Sequence, residues 1–418
     1  MKKIIVVGGG ITGCAIAYYL KQQNHYVEIY EKSDSLGGVL KDVRFSKNNL
    51  AKKFLSGPQY INDTDWSRKI FLDKNFKNYI KKIDHQYGSY TDLFDKKGPT
   101  ILENYALPAT KLAFKGIKRS NKNSGLLNRF YSYQNSISKS LKKWTENYYD
   151  NLNELHYGCS LPTQTRRVFF VNDEKKINKL KKKDKYADDL LGVPKKENIL
   201  AYVPKLGFNK VFKIIENHSL KGIKIFYNSK IKIKKNLNNS LEIKDKDKKL
   251  KADFFVWACN PVSLIKNAYN ENLENAIAKI TTFYFNVSIK KKINKDIYFQ
   301  IFSKNTLINR IYIYKIKDLT KINVECFYNK NISNKEIISQ IKKILKKVKI
   351  NYSKLEFINS RNEIRHILVT NKDYNLFKKF NKDPKFNNII PGGWELYSRD
   401  LKVIKITNIL KERLKKCV

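Results

Sequence analysis

The hydrophobic pattern at the start of the chain predicts a strand, a turn, a helix and a second strand. Lys3–Val7 is a short β-branched run, residues 14–23 carry apolar side chains at helical spacing, and residues 26–31 are again strand-like. Glycine dominates the turn over residues 8–13. This order, within about 30 residues, is typical of the βαβ unit of a dinucleotide-binding fold.

Later segments predict the rest of that sheet and a second unit inserted into it. Strands are expected at 222–233, 241–244, 252–258 and 388–391, and an amphipathic helix at 400–416. Aromatic and β-branched runs at 281–290, 297–302, 310–317 and 322–328 favour an antiparallel sheet. Helices are expected at 66–83, 132–155, 209–220 and 333–349. The predicted fold class is α/β, with a Rossmann-type nucleotide domain interrupted by an α+β domain.

Composition excludes several classes of protein. The 418 residues are 42% hydrophobic and 13% aromatic, which is too apolar for a disordered chain, and the length favours two domains. The five cysteines are scattered without CxxC spacing, so neither a disulfide framework nor a metal site is predicted. No apolar run approaches the length of a membrane span, and the first apolar stretch is too short for a signal peptide. We therefore expect a cytoplasmic protein without a transmembrane segment.

The formal charge of +46 first suggests a nucleic-acid partner. Lysine runs at 179–185 and 342–349, however, alternate with Ile and Leu at helical spacing, which is typical of a solvated helix face. No nucleic-acid motif accompanies them, so no nucleic-acid partner is predicted. The five histidines stand apart and are expected to be structural or exposed, and Cys14 and Cys259 are expected to be small core residues.

The glycine turn carries the clearest chemistry. Gly8, Gly10 and Gly13 form GxGxxG between a predicted strand and a predicted helix, where glycine permits a tight turn and close approach to a diphosphate. Ile11 and Thr12 lie at the helix N-terminus, whose N–H groups and dipole favour an anion. Glu31 ends the second strand, where its carboxylate can accept hydrogen bonds from adenosine ribose hydroxyls.

The residues after Glu31 indicate which dinucleotide is bound. Glu31 and Lys32 are followed by the doublet Gly37-Gly38, which resembles the FAD-binding signature of the superfamily of flavin amine oxidases, protoporphyrinogen oxidases and UDP-galactopyranose mutases. The resemblance implies FAD as the cofactor, with the doublet close to the diphosphate and ribityl chain. The amine oxidase branch has Arg after the doublet, where this chain has Val39.

Two further segments are similar to the mutase branch. Gly57-Pro58-Gln59 and the residues up to 62 resemble the mutase Gly-Pro-His-Ile-Phe-His segment beside the isoalloxazine, with Gln59 in place of the first histidine. Residues 166–170 and 201–208 resemble its arginine-containing strand and its Pro-x-Gly-Gly-Tyr loop. The resemblance implies that Gln59 lies near the flavin and that Arg166 or Arg167 binds a phosphate. Adjacent strand residues face opposite sides, so at most one of these arginines enters a pocket, and a surface ion pair is the alternative.

The C-terminal segment is similar to the last flavin-contacting segment of the same superfamily. It contains Gly392, Gly393, Trp394 and Arg399 before the final helix. Here glycine allows close backbone approach, and a helix N-terminus can stabilise negative charge on a reduced flavin. The resemblance implies that Gly393, Trp394 and Arg399 contact FAD.

The expected architecture is an FAD-binding domain of the glutathione reductase type, formed by residues 1–95, 205–270 and 385–418. The expected substrate domain, residues 96–204 and 271–384, carries the antiparallel sheet. The resemblance implies an FAD-dependent oxidoreductase or a mutase-like flavoenzyme acting on a small molecule, either a nucleotide-linked sugar or a glycan precursor. Oxidation of an amine or a C–H bond, and a non-catalytic scaffold, are the alternatives. Homo-oligomerisation is left open.

Overall fold

The computed structural model describes the greater part of the chain. The described residues are 1–46, 49–57, 60–71, 74–93, 100–102, 135–146, 148, 152–156, 174–184, 200–236, 240–273, 277–290, 293–327, 333–366, 370–392 and 399–415. Their α-helices are α1 (Ile11–Gln22), α2 (Asp65–Ile70), α3 (Asn135–Thr145), α4 (Glu174–Lys183), α5 (Phe208–Asn217), α6 (Val262–Tyr269), α7 (Asn334–Lys347), α8 (Asn371–Lys382) and α9 (Arg399–Lys415).

A five-stranded parallel sheet forms the nucleotide-binding half of the molecule. Its strands, in spatial order, are β10 (Lys224–Phe226), β2 (Tyr26–Tyr30), β1 (Lys3–Val7), β14 (Phe254–Trp257) and β20 (Ile389–Pro391). All neighbouring pairs are parallel. The α/β prediction with a Rossmann-type sheet is therefore confirmed.

Helices cover both faces of the parallel sheet, which explains why its central strands are apolar throughout. Ile4 and Val6 of β1 pack into a core with α1, α5 and α9, whereas Ile5 and Val7 pack into a second core with α6 and α8. In β14 all four residues are buried. Strands buried on both faces become continuous hydrophobic runs, as the sequence of β14 shows.

A seven-stranded sheet forms the second half. Its order is β19 (Tyr352–His366), β15 (Ile277–Ile289), β18 (Leu319–Phe327), β17 (Ile308–Ile316), β16 (Asp296–Phe302), β7 (His85–Thr91) and β8 (Thr100–Leu102). Its pairs are antiparallel except that β16 and β7 are parallel. One face packs against α3 and α7 in an apolar core. The antiparallel sheet predicted from 281–328 is confirmed.

Three small sheets complete the described structure. They are β11 (Ile231–Lys235) with β12 (Leu241–Asp245) and β13 (Lys248–Lys249); β5 (Ile61–Asn62) with β9 (Ala201–Pro204) and β6 (Ile80–Lys82); and β3 (Val43–Arg44) with β4 (Lys53–Phe54). The third directly follows the Gly37-Gly38 segment along the chain.

Three predicted elements are wrong. The helix expected at 132–155 ends at Thr145, and residues 152–156 are not helical. The helix expected at 66–83 ends at Ile70, and Ile80 begins strand β6, because Phe71 and Phe76 turn the chain into the core under α1. The strand expected at 222–233 divides into β10 and β11, which belong to different sheets. Asn228 between them has φ 54°, a left-handed turn conformation that ends a strand.

Several elements were not predicted at all. Helices α6 and α8 and the edge strand β19 are absent from the sequence expectations, although the buried Phe377 and Phe380 of α8 stand at helical spacing. The domain division remains a prediction. Several described elements cross it: β7, within 1–95, pairs with β16; β9, within 96–204, pairs with β5 and β6; and α8, within 271–384, packs against the parallel sheet.

Candidate functional site

The glycine turn lies at the carboxyl end of β1. Gly8 has φ 103°, a conformation that favours glycine, and its N–H donates to the Tyr30 carbonyl at 2.8 Å. A Cβ at Gly13 would lie only 1.9 Å from the Gly8 carbonyl oxygen. Helix α1 can therefore start directly against the turn only because Gly13 has no side chain.

Gly10 faces open space instead. It is the N-cap residue of α1, with φ −72°, and a Cβ placed on it would meet no atom within 4 Å. The first turn of α1 contains no acidic residue, so the amides of Ile11 and Thr12 and the positive end of the helix dipole are not neutralised there. This open cradle fits the diphosphate of a dinucleotide.

Glu31 is held against the same turn. Its Oε2 accepts a hydrogen bond from the Gly9 N–H at 2.6 Å, and its Oε1 accepts one from the Ser33 N–H at 3.0 Å. Glu31 is buried, and its Oε1 also accepts a hydrogen bond from the Ser33 hydroxyl at 2.5 Å, whereas its Oε2 can accept a further one. The carboxylate can therefore still receive a ribose hydroxyl. Lys32, the next residue, is exposed.

Burial and the nearby Glu31 charge both raise the pKa of the Cys14 thiol, which lies behind the turn in α1. Cys14 is buried and stays protonated, as expected for a core residue. Cys259 is different: it is exposed just after β14, contrary to the expectation that it packs in the core.

The glycine doublet packs on the glycine turn. The Gly37 N–H donates to the Gly9 carbonyl at 2.9 Å, and Gly37 pairs with Gly10 in an isolated parallel bridge. Gly38 has φ 55°, and a Cβ on it would lie 3.3 Å from the Gly10 Cα. The two glycine motifs, 24 or more residues apart in the sequence, thus form one cradle.

Asp42 then connects this segment to α5. Its carboxylate accepts hydrogen bonds from the N–H groups of Phe208 and Asn209 at 3.1 and 3.4 Å, and a Cβ at Gly207 would lie 2.1 Å from it. Burial raises the pKa of Asp42 to about 6, against the lowering effect of these N–H donors. The loop at 201–208, which sequence similarity singled out, is therefore held at its end by Asp42.

The second face of the seven-stranded sheet is polar and aromatic although it is buried. Along β16, β17 and β18 the side chains alternate between the apolar core and this face. The polar sheet face consists of Tyr298, Gln300, Arg310, Tyr312, Tyr314, Lys321, Asn323 and Glu325. Sequence reasoning treated these strands only as an antiparallel sheet and did not identify the face, although the period-two alternation of Tyr, Lys, Asn and Glu with Ile and Val was a usable signal.

A three-member network joins this face to the segment after the doublet. The Tyr314 hydroxyl accepts from the Leu55 N–H at 2.9 Å and donates to Asn323 Oδ1 at 3.0 Å. Asn323 Nδ2 donates to the Leu55 carbonyl at 2.8 Å. Both backbone groups of Leu55 are therefore bonded to the sheet, and residues 37–57 run continuously from the glycine cradle to the polar sheet face.

Lys321 adds a second attachment. Its Nζ donates to the carbonyls of Leu50 and Ala51 at 3.2 and 2.7 Å and to Asn286 Oδ1 at 2.8 Å, and it lies 4.4 Å from the centre of the Phe54 ring. Burial lowers the pKa of Lys321 to about 8. These contacts fix residues 50–54 on the sheet.

At the end of this segment Gly57 lies against a buried ion pair. Arg310 and Glu325 are hydrogen-bonded partners on neighbouring strands, and a Cβ at Gly57 would be 3.4 Å from Glu325 Oε1. Burial lowers the pKa of Arg310, but the charges and hydrogen bonds of Glu325 and Tyr298 together raise it above its usual value. Gly57 itself has φ 115°.

His85 lies at the edge of the polar sheet face rather than apart from other chemistry. Its Nε2 is 3.4 Å from the Tyr312 hydroxyl and 3.7 Å from Asp296 Oδ2, and its side chain is buried. Burial lowers the pKa of His85, against the raising effect of Asp296.

The structure thus brings together Gly8, Gly10, Ile11, Thr12, Gly13, Glu31, Gly37 and Gly38, and it places Gly57 on the polar sheet face. Arg399 begins α9, and its side chain is not described. Pro58, Gln59, Arg166, Arg167, Gly393 and Trp394 lie outside the described residues. Gly392 is described: its Cβ would meet the Trp257 carbonyl oxygen at 2.5 Å, so this glycine is required by packing against β14.

Membrane-spanning helices and metal clusters can be assessed only within the described ranges. None of the helices there is long and apolar enough to cross a bilayer. No group of three or more His, Cys, Asp or Glu side chains in those ranges is arranged to hold a metal ion.

Comparison with known proteins agrees with this geometry. Residues 6–73 match the family model described as an NAD(P)-binding Rossmann-like domain. The chain is 30% identical over 146 residues to a 1-hydroxycarotenoid 3,4-desaturase of Flavobacterium sp. (strain P99-3), a match that covers 34% of this chain and 29% of that protein. The chain therefore matches less than a third of the length of this relative.

Solved structures extend the similarity to the whole fold. Reduced UDP-galactopyranose mutase matches with a TM-score of 0.71 and 11% identity, covering 99% of this chain and 96% of the other. A putative protoporphyrinogen oxidase from Exiguobacterium sp. 255-15 matches with a TM-score of 0.63 and 15% identity, covering 99% of each chain. At these levels of identity, the two matches show that the chain shares its fold with these proteins.

Proposed function

We propose that this chain is a flavin-dependent enzyme that binds FAD across the cradle at the carboxyl ends of the parallel strands. The turn from Gly8 to Gly13 and the first turn of α1 would hold the diphosphate, and Glu31 would accept the ribose hydroxyls. The proposal is supported by the open space at Gly10, where a side chain would have no partner in the chain itself. The remaining residues proposed to contact FAD are Lys32, Gly37, Gly38, Gly57, Pro58, Gly393, Trp394 and Arg399.

When bound, FAD supplies the electron-transfer chemistry, and the protein supplies binding, orientation and exclusion of water. The chain between Gly38 and Gly57 leads from the cradle to the polar sheet face, so a flavin ring would be expected beside Gly57. Tyr314, Asn323 and Lys321 hold that segment in place. They are positioning residues in this proposal.

The polar sheet face carries the substrate proposal. We infer a hydroxyl-rich substrate, either a nucleotide-linked sugar or a glycan precursor, because this face offers hydrogen-bonding groups such as Tyr298, Gln300 and Arg310. A largely apolar substrate, such as the hydroxycarotenoid named for the desaturase relative, would form few hydrogen bonds with this face, whose groups also bond one another. Gln59, predicted to lie near the flavin, and Arg166 or Arg167, predicted to bind a phosphate, remain the candidate catalytic residues.

Amine oxidation is the second candidate. Tyr312 and Tyr314 stack with ring centres 4.7 Å apart, and aromatic faces attract cations. Glu325, the carboxylate on the same face, is already paired with Arg310 and so is a poor counter-ion for an ammonium group, which ranks this candidate below the first. A scaffold without flavin is the third reading.

Flavin absorbance tests these readings together. We expect the purified protein, after reconstitution with FAD, to be yellow. UDP-galactose should perturb the spectrum of the dithionite-reduced protein, and putrescine should not bleach the oxidised protein. Bleaching by putrescine without any effect of UDP-galactose would instead support amine oxidation. A colourless protein after reconstitution would refute both enzyme proposals.

A pair of variants tests the role of the sheet face. Tyr298→Phe removes a hydroxyl that bonds Gln300 at 3.0 Å, whereas Tyr269→Phe removes one that bonds Asp383 at 3.2 Å in the core on the other side of the molecule. We expect Tyr298→Phe to weaken the response to UDP-galactose roughly 5- to 10-fold and Tyr269→Phe to leave it unchanged. Equal responses would contradict a substrate role for this face. A small-molecule substrate and a cytoplasmic location complete the proposal.

A further inference from the structure

A separate cavity lies at the other end of the parallel sheet. Its volume is about 620 Å³. Asp253 lines it just before β14, and Asn387 and Asn388 line it just before β20. All strands of this sheet are parallel, so the cavity is at their amino ends, whereas the glycine cradle is at their carboxyl ends. The two sites share no residue.

Two helices form the walls of this basic cavity. From α8 it is lined by Tyr374, Lys378, Asn381 and Lys382, and from α9 by Lys405, Ile409, Glu412 and Arg413. These positions repeat every three or four residues, so each set forms one face of its helix. Four of the lining side chains are cationic, and two, Asp253 and Glu412, are acidic.

One of the two carboxylates is already engaged elsewhere. Asp253 accepts a hydrogen bond from the Lys3 N–H at 2.7 Å, and its other oxygen is 4.0 Å from Lys2 Nζ. Both of these partners belong to the start of β1 rather than to the cavity. Lys2 therefore offsets part of the Asp253 charge, Glu412 remains as the second carboxylate of the lining, and the four cations still outnumber the two acids.

Arg413 closes one end of the cavity. Its guanidinium donates to the carbonyls of Asn387, Ile389 and Asn381 at 2.5, 3.0 and 3.3 Å. The Asn381 carbonyl belongs to the last turn of α8, where free carbonyls would otherwise attract lysines. Arg413 already donates hydrogen bonds at this helix end. The partial negative charge of the helix end, beside which Lys378 and Lys382 lie, is therefore already compensated.

Like charges also converge across the cavity. Lys378 comes from α8 and Lys405 from α9, and Lys405 is half-buried. Both side chains line the same cavity, where burial and then the charge of Lys378 lower the pKa of Lys405. An anion between them would remove this repulsion.

We propose that the basic cavity binds a small anion bearing at least two phosphate charges, of which inorganic diphosphate is the simplest member. The two lysines and Lys382 would supply charge, and the amides of Asn387 and Asn388 would supply neutral donors. The volume is in the range of small-ligand pockets, roughly 300–1,000 Å³. The site is independent of FAD.

Isothermal titration calorimetry of the purified full chain with sodium diphosphate tests this, in about 0.15 M salt to screen surface charge. We expect saturable binding to a single site, and weaker binding of monophosphate. The double variant Lys378→Gln/Lys405→Gln should lose at least about tenfold in affinity, because two charged hydrogen-bond donors are removed.

The matched control is Lys379→Gln/Lys411→Gln, on the same two helices and with the same loss of charge. These lysines lie over the rings of Tyr269 and Tyr19, outside the cavity lining. We expect the control to bind diphosphate as the wild type does. Equal weakening by both double variants, or no saturable heat from the wild type, would overturn the proposal.

If circular dichroism shows that the cavity double variant is unfolded, the single exposed change Lys378→Gln replaces it. We then expect a loss of affinity of about threefold. Flavin content is measured separately, so failure here does not bear on the FAD proposal.

Discussion

Replacing Gly10 by alanine separates cofactor binding from folding. The residue caps α1 with φ −72°, which alanine adopts without strain, and a Cβ there meets no atom of the chain within 4 Å. The added methyl group would instead enter the space proposed for the FAD diphosphate. The change should therefore weaken FAD binding and leave the stability of the FAD-free protein almost unchanged.

The expected sizes follow from these contacts. In the absence of FAD, the entropic gain of a Gly→Ala change, about 0.4–1 kcal/mol, roughly offsets the poorer capping by alanine. The free energy of unfolding should thus change by less than about 1 kcal/mol. A methyl group forced into a fitted contact costs about 1–3 kcal/mol, so the Kd for FAD should rise roughly 5- to 150-fold.

Two other glycines provide controls. A Cβ at Gly13 would lie 1.9 Å from the Gly8 carbonyl oxygen, so Gly13→Ala should lower both stability and FAD binding, the former by at least about 3 kcal/mol. Gly222 has open space around it but φ 88°, so Gly222→Ala should cost about 1–2 kcal/mol of stability and leave the Kd for FAD unchanged.

The assay combines urea unfolding of the FAD-free protein with fluorescence titration by FAD. The reasoning is refuted if Gly10→Ala binds FAD with the wild-type Kd. It is equally refuted if that variant loses several kcal/mol of stability without FAD, because the space at Gly10 would then not be open in solution.

Three further predictions concern the segment between the cradle and the sheet. Asn323→Leu leaves the Leu55 carbonyl without its donor, so we expect urea unfolding to show a loss of about 1–3 kcal/mol in the free energy of unfolding, together with weaker FAD binding. A wild-type affinity for FAD would contradict the positioning role of Asn323. Arg310→Met should cost about 3–5 kcal/mol because Glu325 is left charged and buried, whereas Arg310→Met/Glu325→Leu should cost less in the same assay, and an equal or larger loss would argue against the pair. Burial gives Asp42 a pKa of about 6 against a usual 3.8, so the folded state binds more protons and wild-type stability should fall by roughly 3 kcal/mol as pH rises from about 4 to 6. Asp42→Asn should lack that fall in unfolding measured across this pH range, and a parallel pH profile would show the assignment to be wrong.

Much of the nucleotide-binding half could be predicted because its determinants are local. The β-branched run of β1, the glycines after it and the helical spacing of α1 are adjacent in the sequence, and each has a direct backbone consequence. The buried strand β14 could be predicted equally well, since a strand buried on both faces is a continuous apolar run. Even in this half, the close packing of Gly392 against Trp257 could not be predicted, because the two residues are far apart in sequence.

The sequence by itself determined the identity of the cradle and the existence of both sheets, since strand periodicity and glycine spacing are properties of short segments. Only the tertiary structure decided that Gly37 pairs with Gly10, that Asp42 caps α5, and that Tyr314 and Asn323 hold Leu55. It also decided that His85 belongs to a polar sheet face and that Lys378 and Lys405 converge. Each of these contacts joins residues whose separation is set by the register of strands and the packing of helices. A long-range contact costs chain entropy that the whole core must offset, so no local pattern can specify it.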